Sequence, residues 1–483
     1  MSTLLVWLRN DLRLGDNPAL AHAMEDADTV IPLFIWAPDE EGAWAPGGAH
    51  RWWLHHSLTR LQERFADEGS RLILRTGAST DVLDAIIEET GADGIYWNQR
   101  HVPALDKRDA ELIQHFDDKG LNVTRFPGRL LHDPEAIETT TGGPYHVYTP
   151  FWRKFNKLLN QTRAATPPLP APEFEGTAPD TWPASDDVSA LQLLPEARDG
   201  VDWADGLRAT WTPGEGAAHQ RLEMFLAEKV HTYDTARDRP DQDGTSRLSP
   251  YLHHGELSPR QVWHATHEAL NGDIHEDAES FLQEIVWREF SYHLLHHYPE
   301  TDTQPLKDKF ADFAWVEDDE ALERWQQGQT GYPIVDAGMR QLYETGWMHN
   351  RVRMIVGSFL TKDLRIHWLE GARWFWDTLV DGDLASNTMG WQWAAGSGAD
   401  AQPFFRIFNP VSQSERHDLN GDYIRRFVPE IADLPTKYLH APWDAPSGAL
   451  KAAGITLGET YPMPMVDHSD AREQALDAYE QIK

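Results

Sequence analysis

A chain of 483 residues, 41% of them hydrophobic, is long enough for two domains with separate cores and too long for a small binding module. It contains no cysteine, which excludes disulfides, thiolate nucleophiles, iron–sulfur clusters and cysteine-based zinc sites, and no metal site is expected. With 77 acidic against 43 basic residues the net charge is −34, the opposite of the basic footprint typical of nucleic-acid-binding proteins.

Met1-Ser2-Thr3 leads straight into an apolar segment with no basic region or small-residue cleavage site, so no export signal is expected. No apolar run approaches the roughly 18 residues of a membrane span, and the expectation is a soluble, cytoplasmic protein. Short β-branched and aromatic runs at Thr3–Arg9, Thr29–Trp36, Arg71–Arg75, Gly94–Trp97 and Leu121–Phe126 predict buried parallel strands. Amphipathic stretches between them, His50–Glu68, Asp81–Thr90 and Ala104–Lys119, predict helices. This alternation predicts a doubly wound α/β domain over residues 1–130. No GxGxxG follows the first strand and no GxxxxGK[ST] occurs, so neither a classical dinucleotide fold nor a P-loop is supported.

From about Thr162 to Gly200 the chain becomes rich in Pro, Ala, Asp and Glu, as in TRAATPPLPAPEFEGTAPDTWPASDDVSA, and residues 131–210 read as a long interdomain connector. Beyond Trp211 apolar residues recur at three- and four-residue spacing in Ala217–Lys229, Phe281–His297, Asp336–Thr345 and Val352–Lys362. They predict an all-α domain over 211–483. Between Gly331 and Glu430 ten basic residues face twelve acidic ones, so nearly all of the net charge lies elsewhere. That distribution predicts an acidic coat suited to a salty cytosol with a near-neutral face left for a polyanionic partner; the plainer alternative is an acidic surface that serves solubility.

Three local patterns in the helical region could carry chemistry. Thr245-Ser246-Arg247-Leu248-Ser249-Pro250 places hydroxyls and a cation ahead of a helix, which suits a pyrophosphate but is equally an ordinary helix cap. Asp381-Gly382-Asp383 with Asn387 sets short polar groups around a glycine, where something flat could approach or where an Asx turn could cap the next helix. Glu284 and Trp287 stand three apart, and Asn350 and Met354 four apart, so each pair shares one helix face.

WLRNDLRLGDNPAL, DGTSRLSPYLHHGELSPR, LQEIVWREF, TGYPIVDAGMRQL, GWMHNRVRM and DGDLASNTMGWQWAAGSGADAQPFFRIFNP, in this order, resemble the photolyase/cryptochrome family over nearly the whole chain, and its class I cyclobutane-dimer branch in particular. The resemblance implies FAD in the helical domain. Tyr233, Thr245, Ser246, Arg247, Leu248 and Ser249 would hold its phosphates. Asp381, Gly382 and Asp383 would lie against the isoalloxazine and ribityl region, Asn387 at the N5 edge, and Arg353 would pair with Asp381; Phe281, Arg288 and Asn350 complete the cofactor set. A cavity of Glu284, Trp287, Asn350, Met354 and Trp393, with Ser291 nearby, would take a flipped-out dimer, and Glu284 would hydrogen-bond its carbonyls. Trp391, Trp368 and Trp315 match the relay that reduces the flavin from the surface; Trp374 and Trp376 are close enough in sequence to confuse the path. Arg237, Arg351, Arg406, Gln413 and Arg416 would contact the DNA backbone.

The sequence departs from the family pattern at Val102, where folate-binding relatives carry glutamate, which puts a folate antenna in doubt and leaves a deazaflavin, a flavin or an empty site. Ser291 stands where some relatives have an aromatic residue, and Phe281 where some have tryptophan. The implied activity is that of a deoxyribodipyrimidine photolyase: blue-light-driven electron transfer from reduced FAD that splits cyclobutane pyrimidine dimers in UV-damaged DNA, performed by a monomer. The alternatives are a cryptochrome-type photoreceptor with little or no repair, a six-four photoproduct enzyme, whose relatives carry a histidine pair where this chain has Asn350 and Met354, and a redox flavoprotein unrelated to light.

Overall fold

In the computed structural model, which describes residues 2–194, 202–401 and 403–483, the five apolar runs of the N-terminal region form one parallel sheet. Its strands are β1 (Thr3–Leu8), β2 (Thr29–Trp36), β3 (Ile73–Thr76), β4 (Gly94–Asn98) and β5 (Asn122–Phe126), in the order β3-β2-β1-β4-β5. The connecting helices are α1 (Pro18–Asp26), α2 (Gly48–Asp67), α3 (Ser79–Thr90) and α4 (Pro103–Asp117). Side chains alternate across β1: Leu4, Val6 and Leu8 enter the core on one face, Leu5 and Trp7 that on the other. Strand order reverses at β1, which opens a crevice at the C-terminal ends of the strands.

The stretch expected as a connector is packed along its length. Helix α5 (Tyr148–Lys157) docks on the helical body, and the segment after it straps the sheet: Val30 N donates to Thr177 O (3.0 Å) and Asp186 N to Leu74 O (2.9 Å). Phe174, Val188, Leu191 and Leu193 are buried in the same core as β1. Its composition signalled a lack of regular structure, not a lack of contacts. Residues 195–201 of the expected connector lie outside the described residues.

The remainder is helical: α6 (Asp205–Thr210), α7 (Glu215–Glu228), α8 (Tyr233–Ala236), α9 (Ser249–His254), α10 (Pro259–Ala269), α11 (Glu276–His297), α12 (Asp319–Gln326), α13 (Pro333–Thr345), α14 (Asn350–Ser358), α15 (Trp368–Thr378), α16 (Leu384–Ala395) and α17 (Pro410–His417), followed by short helical elements and a closing helix, His468–Glu480. Helix α14 runs on into a single π turn, Phe359–Asp363, where an unbroken helix was expected to Lys362.

The two bodies meet along the β1–α1 loop. Glu215 accepts from the backbone N–H groups of Leu14 (3.0 Å) and Gly15 (2.9 Å), Arg13 Nη1 donates to Gly255 O (2.8 Å), and Arg260 pairs with Asp16. Gly255, with φ +71°, ends α9 so close to the loop that a Cβ there would lie 2.0 Å from Asn10 O. The WLRNDLRLGDNPAL motif is thus the docking loop between the two bodies. No helix among the described residues is long and apolar enough to cross a membrane.

Candidate active site

The loop joining α15 to α16 and the segment leading into α9 come together on Asp381. Arg353 Nη2 bridges both Asp381 oxygens (3.0 and 2.9 Å), and its Nε donates to Met348 O (2.8 Å). Ser249 Oγ donates to Asp381 Oδ2 (2.6 Å), so the hydroxyl-rich segment and the aspartate loop form one polar floor. The Asp381 side chain is 3% exposed, and removing either partner would leave the other uncompensated.

Asp383 plays a different part from the one its position suggested. Its Oδ1 caps α16 by accepting from Ser386 N (3.0 Å), and its Oδ2 accepts from the Tyr292 hydroxyl and from Arg129 Nη2 (3.1 Å). Burial alone would raise its pKa, but His253, Arg129 and Arg288 hold it well below the usual carboxylate range. The carboxylate anchors the loop to the sheet body instead of facing the floor. Gly382 likewise lets His50 approach: a Cβ there would lie 2.6 Å from His50 Nε2. Asn387 is 9% exposed and its Nδ2 donates to Ala372 O (3.0 Å), which leaves its Oδ1 as the accepting end.

Arg247 adopts φ +52°, lies 3.3 Å from Asp243 and sits over the Trp347 ring (4.9 Å). Leu248 is buried, and Ser246 O accepts from Arg221 Nε (3.1 Å). Tyr233 and Phe281 pack edge to face (5.5 Å) on one wall. Arg288 Nη2 and His349 Nε2 are buried without a hydrogen-bond partner. Buried polar atoms left in this way are available to a polar ligand.

Glu284 and Trp287 are half-buried on α11, Asn350 is exposed and Met354 half-buried on α14, and Trp393 is half-buried on α16; the adjacent residues Arg237 and Asp238 tie α11 to α14 through Glu284 and Arg351. Glu284 Oε1 is 2.6 Å from Arg237 Nη2, and burial raises the carboxyl's pKa against the pull of that arginine. Arg351 is paired with Asp238 (2.6 Å) and reaches Met354 Sδ (3.6 Å). Two of the four arginines expected on phosphates are therefore committed to carboxylates here, whereas Arg406 and Arg416 are exposed, with Gln413 half-buried beside them on α17. Ser291 lies below the surface, 1% exposed, its hydroxyl bonded back to Arg288 O (2.7 Å), because that face of α11 packs on α16. Sequence reasoning missed Tyr148, whose ring stacks on Trp287 (3.6 Å, 9°), along with Asp238, Arg129 and Tyr292. Only Tyr148 left a signal, as the start of the aromatic YTPFW run inside the presumed connector.

Trp391 (4% exposed) packs against Phe375 (4.9 Å) and so tightly on Gly371 that a Cβ there would meet its ring at 2.1 Å. Trp368 is 1% exposed, Trp315 half-buried, and the His367 ring stands between them, 5.7 and 5.0 Å away. Trp374 and Trp376 turn elsewhere: Trp374 toward Tyr343 (6.4 Å), Trp376 toward Trp44 (5.4 Å) and His50 (4.7 Å).

A five-stranded parallel-sheet body is thus clamped to a helical body whose loops converge on Asp381, a two-part α/β and all-α architecture. Residues 4–173 match the model of DNA photolyase, and residues 281–481 that of the FAD binding domain of DNA photolyase. The deoxyribodipyrimidine photo-lyase of Agrobacterium fabrum is 50% identical over 480 residues, 99% of this chain and 98% of that protein. Cryptochrome-2 of Arabidopsis thaliana is 37% identical over 477 residues, 97% of this chain and 77% of that protein. A crystal structure of a bacterial class III photolyase from Agrobacterium tumefaciens superposes with a TM-score of 0.94 at 49% identity, covering 100% of this chain and 98% of that one. The chain belongs to the photolyase/cryptochrome family.

Proposed function

We propose that this protein is a light-driven carbon–carbon lyase that splits cyclobutane pyrimidine dimers in UV-damaged DNA. The observation that supports the reading is that α14 ties the two groups together: its Arg353 binds Asp381 beside Ser249, and its Arg351 binds Asp238, whose neighbour Arg237 pairs with Glu284. Within the family we place it in the class III branch, not class I, on the near-complete 49% match to a class III structure.

The buried orphan atoms of Arg288 and His349 fit the FAD that the family model implies. The chemistry supplied by bound FAD is the loan of one electron, under blue light, to the dimer. The protein's own residues bind and orient. The Thr245–Ser249 segment and Arg247 would face the phosphates, and Arg353 beside Asp381 would set a positive charge near the ring. Asn387 Oδ1 would accept a hydrogen bond from a ring N–H. On α11, Trp287 would stack on the lesion and a protonated Glu284 would donate to a dimer carbonyl. Trp315, Trp368 and Trp391 would carry charge in from the surface.

A second chromophore would occupy the crevice at the strand ends, lined by Trp7, Phe34, Trp36 and Arg100 and open toward His253 and Trp376. Arg100 Nε and Nη2 are buried there without a hydrogen-bond partner. Glu41 lines the same crevice, and burial raises its pKa, so the carboxyl that Val102 fails to provide is available from across the gap. This returns a folate to the candidates.

The test is repair of a dimer-containing oligonucleotide by the reduced protein under blue light, with a dark control. Light-dependent loss of dimers establishes the activity. Reduction of the flavin by light without repair at any salt concentration would favour a light sensor.

A further inference from the structure

We propose that Tyr148 is a positioning residue for lesion recognition: it backs the Trp287 indole and holds it in the plane on which a dimer stacks. This rests on the repair reading above. Trp287 is a half-buried tryptophan on α11, in a setting where a single-sided indole could adopt other rotamers. Tyr148 removes that freedom. The two rings are parallel within 9° at a centroid distance of 3.6 Å, and Phe290 meets both edge-on at 5.9 Å. One face of the indole is therefore covered by protein and the opposite face is left for a ligand.

Tyr148 is itself fixed at both ends. Its hydroxyl donates to Gln283 O (2.8 Å), one turn ahead of Trp287 on the same helix. Its backbone N–H donates to Asp400 Oδ2 (3.2 Å), and Asp400, held at φ +46°, donates from its own N–H to His146 O (2.9 Å). The geometry gives Tyr148 the function of a fixed backing plate, contributed from the stretch expected as a connector. An indole already flat before the lesion arrives loses no rotamer freedom on binding, so the effect falls on affinity for the flipped dimer and not on affinity for the backbone.

The experiment measures dark binding of the FAD-loaded full-length protein to matched oligonucleotides with and without one dimer, followed by KM and kcat for repair under light. Tyr148→Leu is expected to weaken dimer-strand binding roughly three- to ten-fold, the range of one aromatic pair, with undamaged-strand affinity and flavin absorbance unchanged. KM should rise while kcat holds, and Tyr148→Phe should restore binding. Tyr148→Met, unbranched and closer in volume, carries the same expectation if the leucine variant fails to load FAD. Undiminished preference for the dimer strand in these variants, or equal weakening on both strands, overturns the role of Tyr148 alone. A wild-type protein with no preference for the dimer strand overturns the repair reading and this role with it.

Discussion

Arg237 Nη2 lies 2.6 Å from Glu284 Oε1 while its guanidinium sits over the Tyr233 ring at 5.4 Å. The residue expected on a DNA phosphate is thus the counter-ion of the residue expected on the lesion. Arg237 favours the ionised carboxyl, and burial opposes it. If the protonated form donates to the dimer, repair is fullest below the Glu284 pKa and falls as pH rises through it. Arg237→Gln removes the term that lowers that pKa, so the alkaline limb of the repair profile should move up. Because Arg237 is paired with Glu284, binding to the undamaged strand and its salt dependence should change little. A pH–rate profile alongside a salt titration checks both; an unmoved limb rules out Glu284 as the donor.

Asp381→Asn leaves the Arg353 guanidinium without its anion and leaves one amide oxygen where Arg353 and Ser249 now share two carboxylate acceptors. The floor should loosen and FAD occupancy should drop by about ten-fold or more, on the scale of a lost charged hydrogen bond. Visible flavin absorbance per polypeptide after purification measures it. Asp383→Asn should act differently, lowering the thermal midpoint, because that carboxylate ties α16 to Arg129 and Tyr292.

Trp391→Phe should largely abolish reduction of the flavin by light, while protein reduced chemically keeps its repair rate. Following flavin absorbance under illumination, then assaying the chemically reduced sample, separates the two. Loss of repair in that sample would mean that Trp391, packed on Gly371, serves the pocket's shape instead.

Glu256 is fully buried, accepting from Gly214 N (2.7 Å) and Trp53 Nε1 (3.1 Å), and burial pushes its pKa up to about 8. The unfolded chain ionises this group from about pH 4.5 upward, whereas the folded chain does so only near 8. Stability is therefore present at low pH and lost as pH climbs between those values, by about 1.4 kcal/mol per unit. Thermal midpoints from pH 5 to 8.5 should fall less steeply for Glu256→Gln than for the wild type.

The charge of −34 sets a further expectation. Raising salt from about 0.1 to about 2 M shortens the screening length from roughly 10 Å to a few ångström and should raise the thermal midpoint if the acidic coat is built for high salt. A midpoint independent of salt identifies the coat as a solubility device.

The strands were legible because buried parallel strands must be short, apolar and β-branched, and all five were found within two residues of their expected ends. The polar floor was legible because its members sit in short motifs. Apart from the Arg353–Asp381 pair, which the family resemblance implied, what escaped was partnership between distant positions. Nothing near Asp383 indicates that Arg129, 254 positions away, claims its carboxylate, nor does Arg351 announce Asp238. Tyr148 was hidden for another reason: the connector was drawn over residues 131–210, well ahead of the proline- and alanine-rich stretch that begins near Thr162, and so took in a helix, α5, that packs on α11.

The strap from Thr166 to Leu194 crosses the sheet, while α5, just before it, is locked to α11 and Gly255 presses the end of α9 onto the β1–α1 loop. Among the described residues these contacts hold the sheet body against the helical body. The crevice at the strand ends and the floor on Asp381 are separated by little more than His50 and the Asp381–Asp383 turn. Any excitation passed between pigments in those two places would meet the same dipole orientation in every molecule.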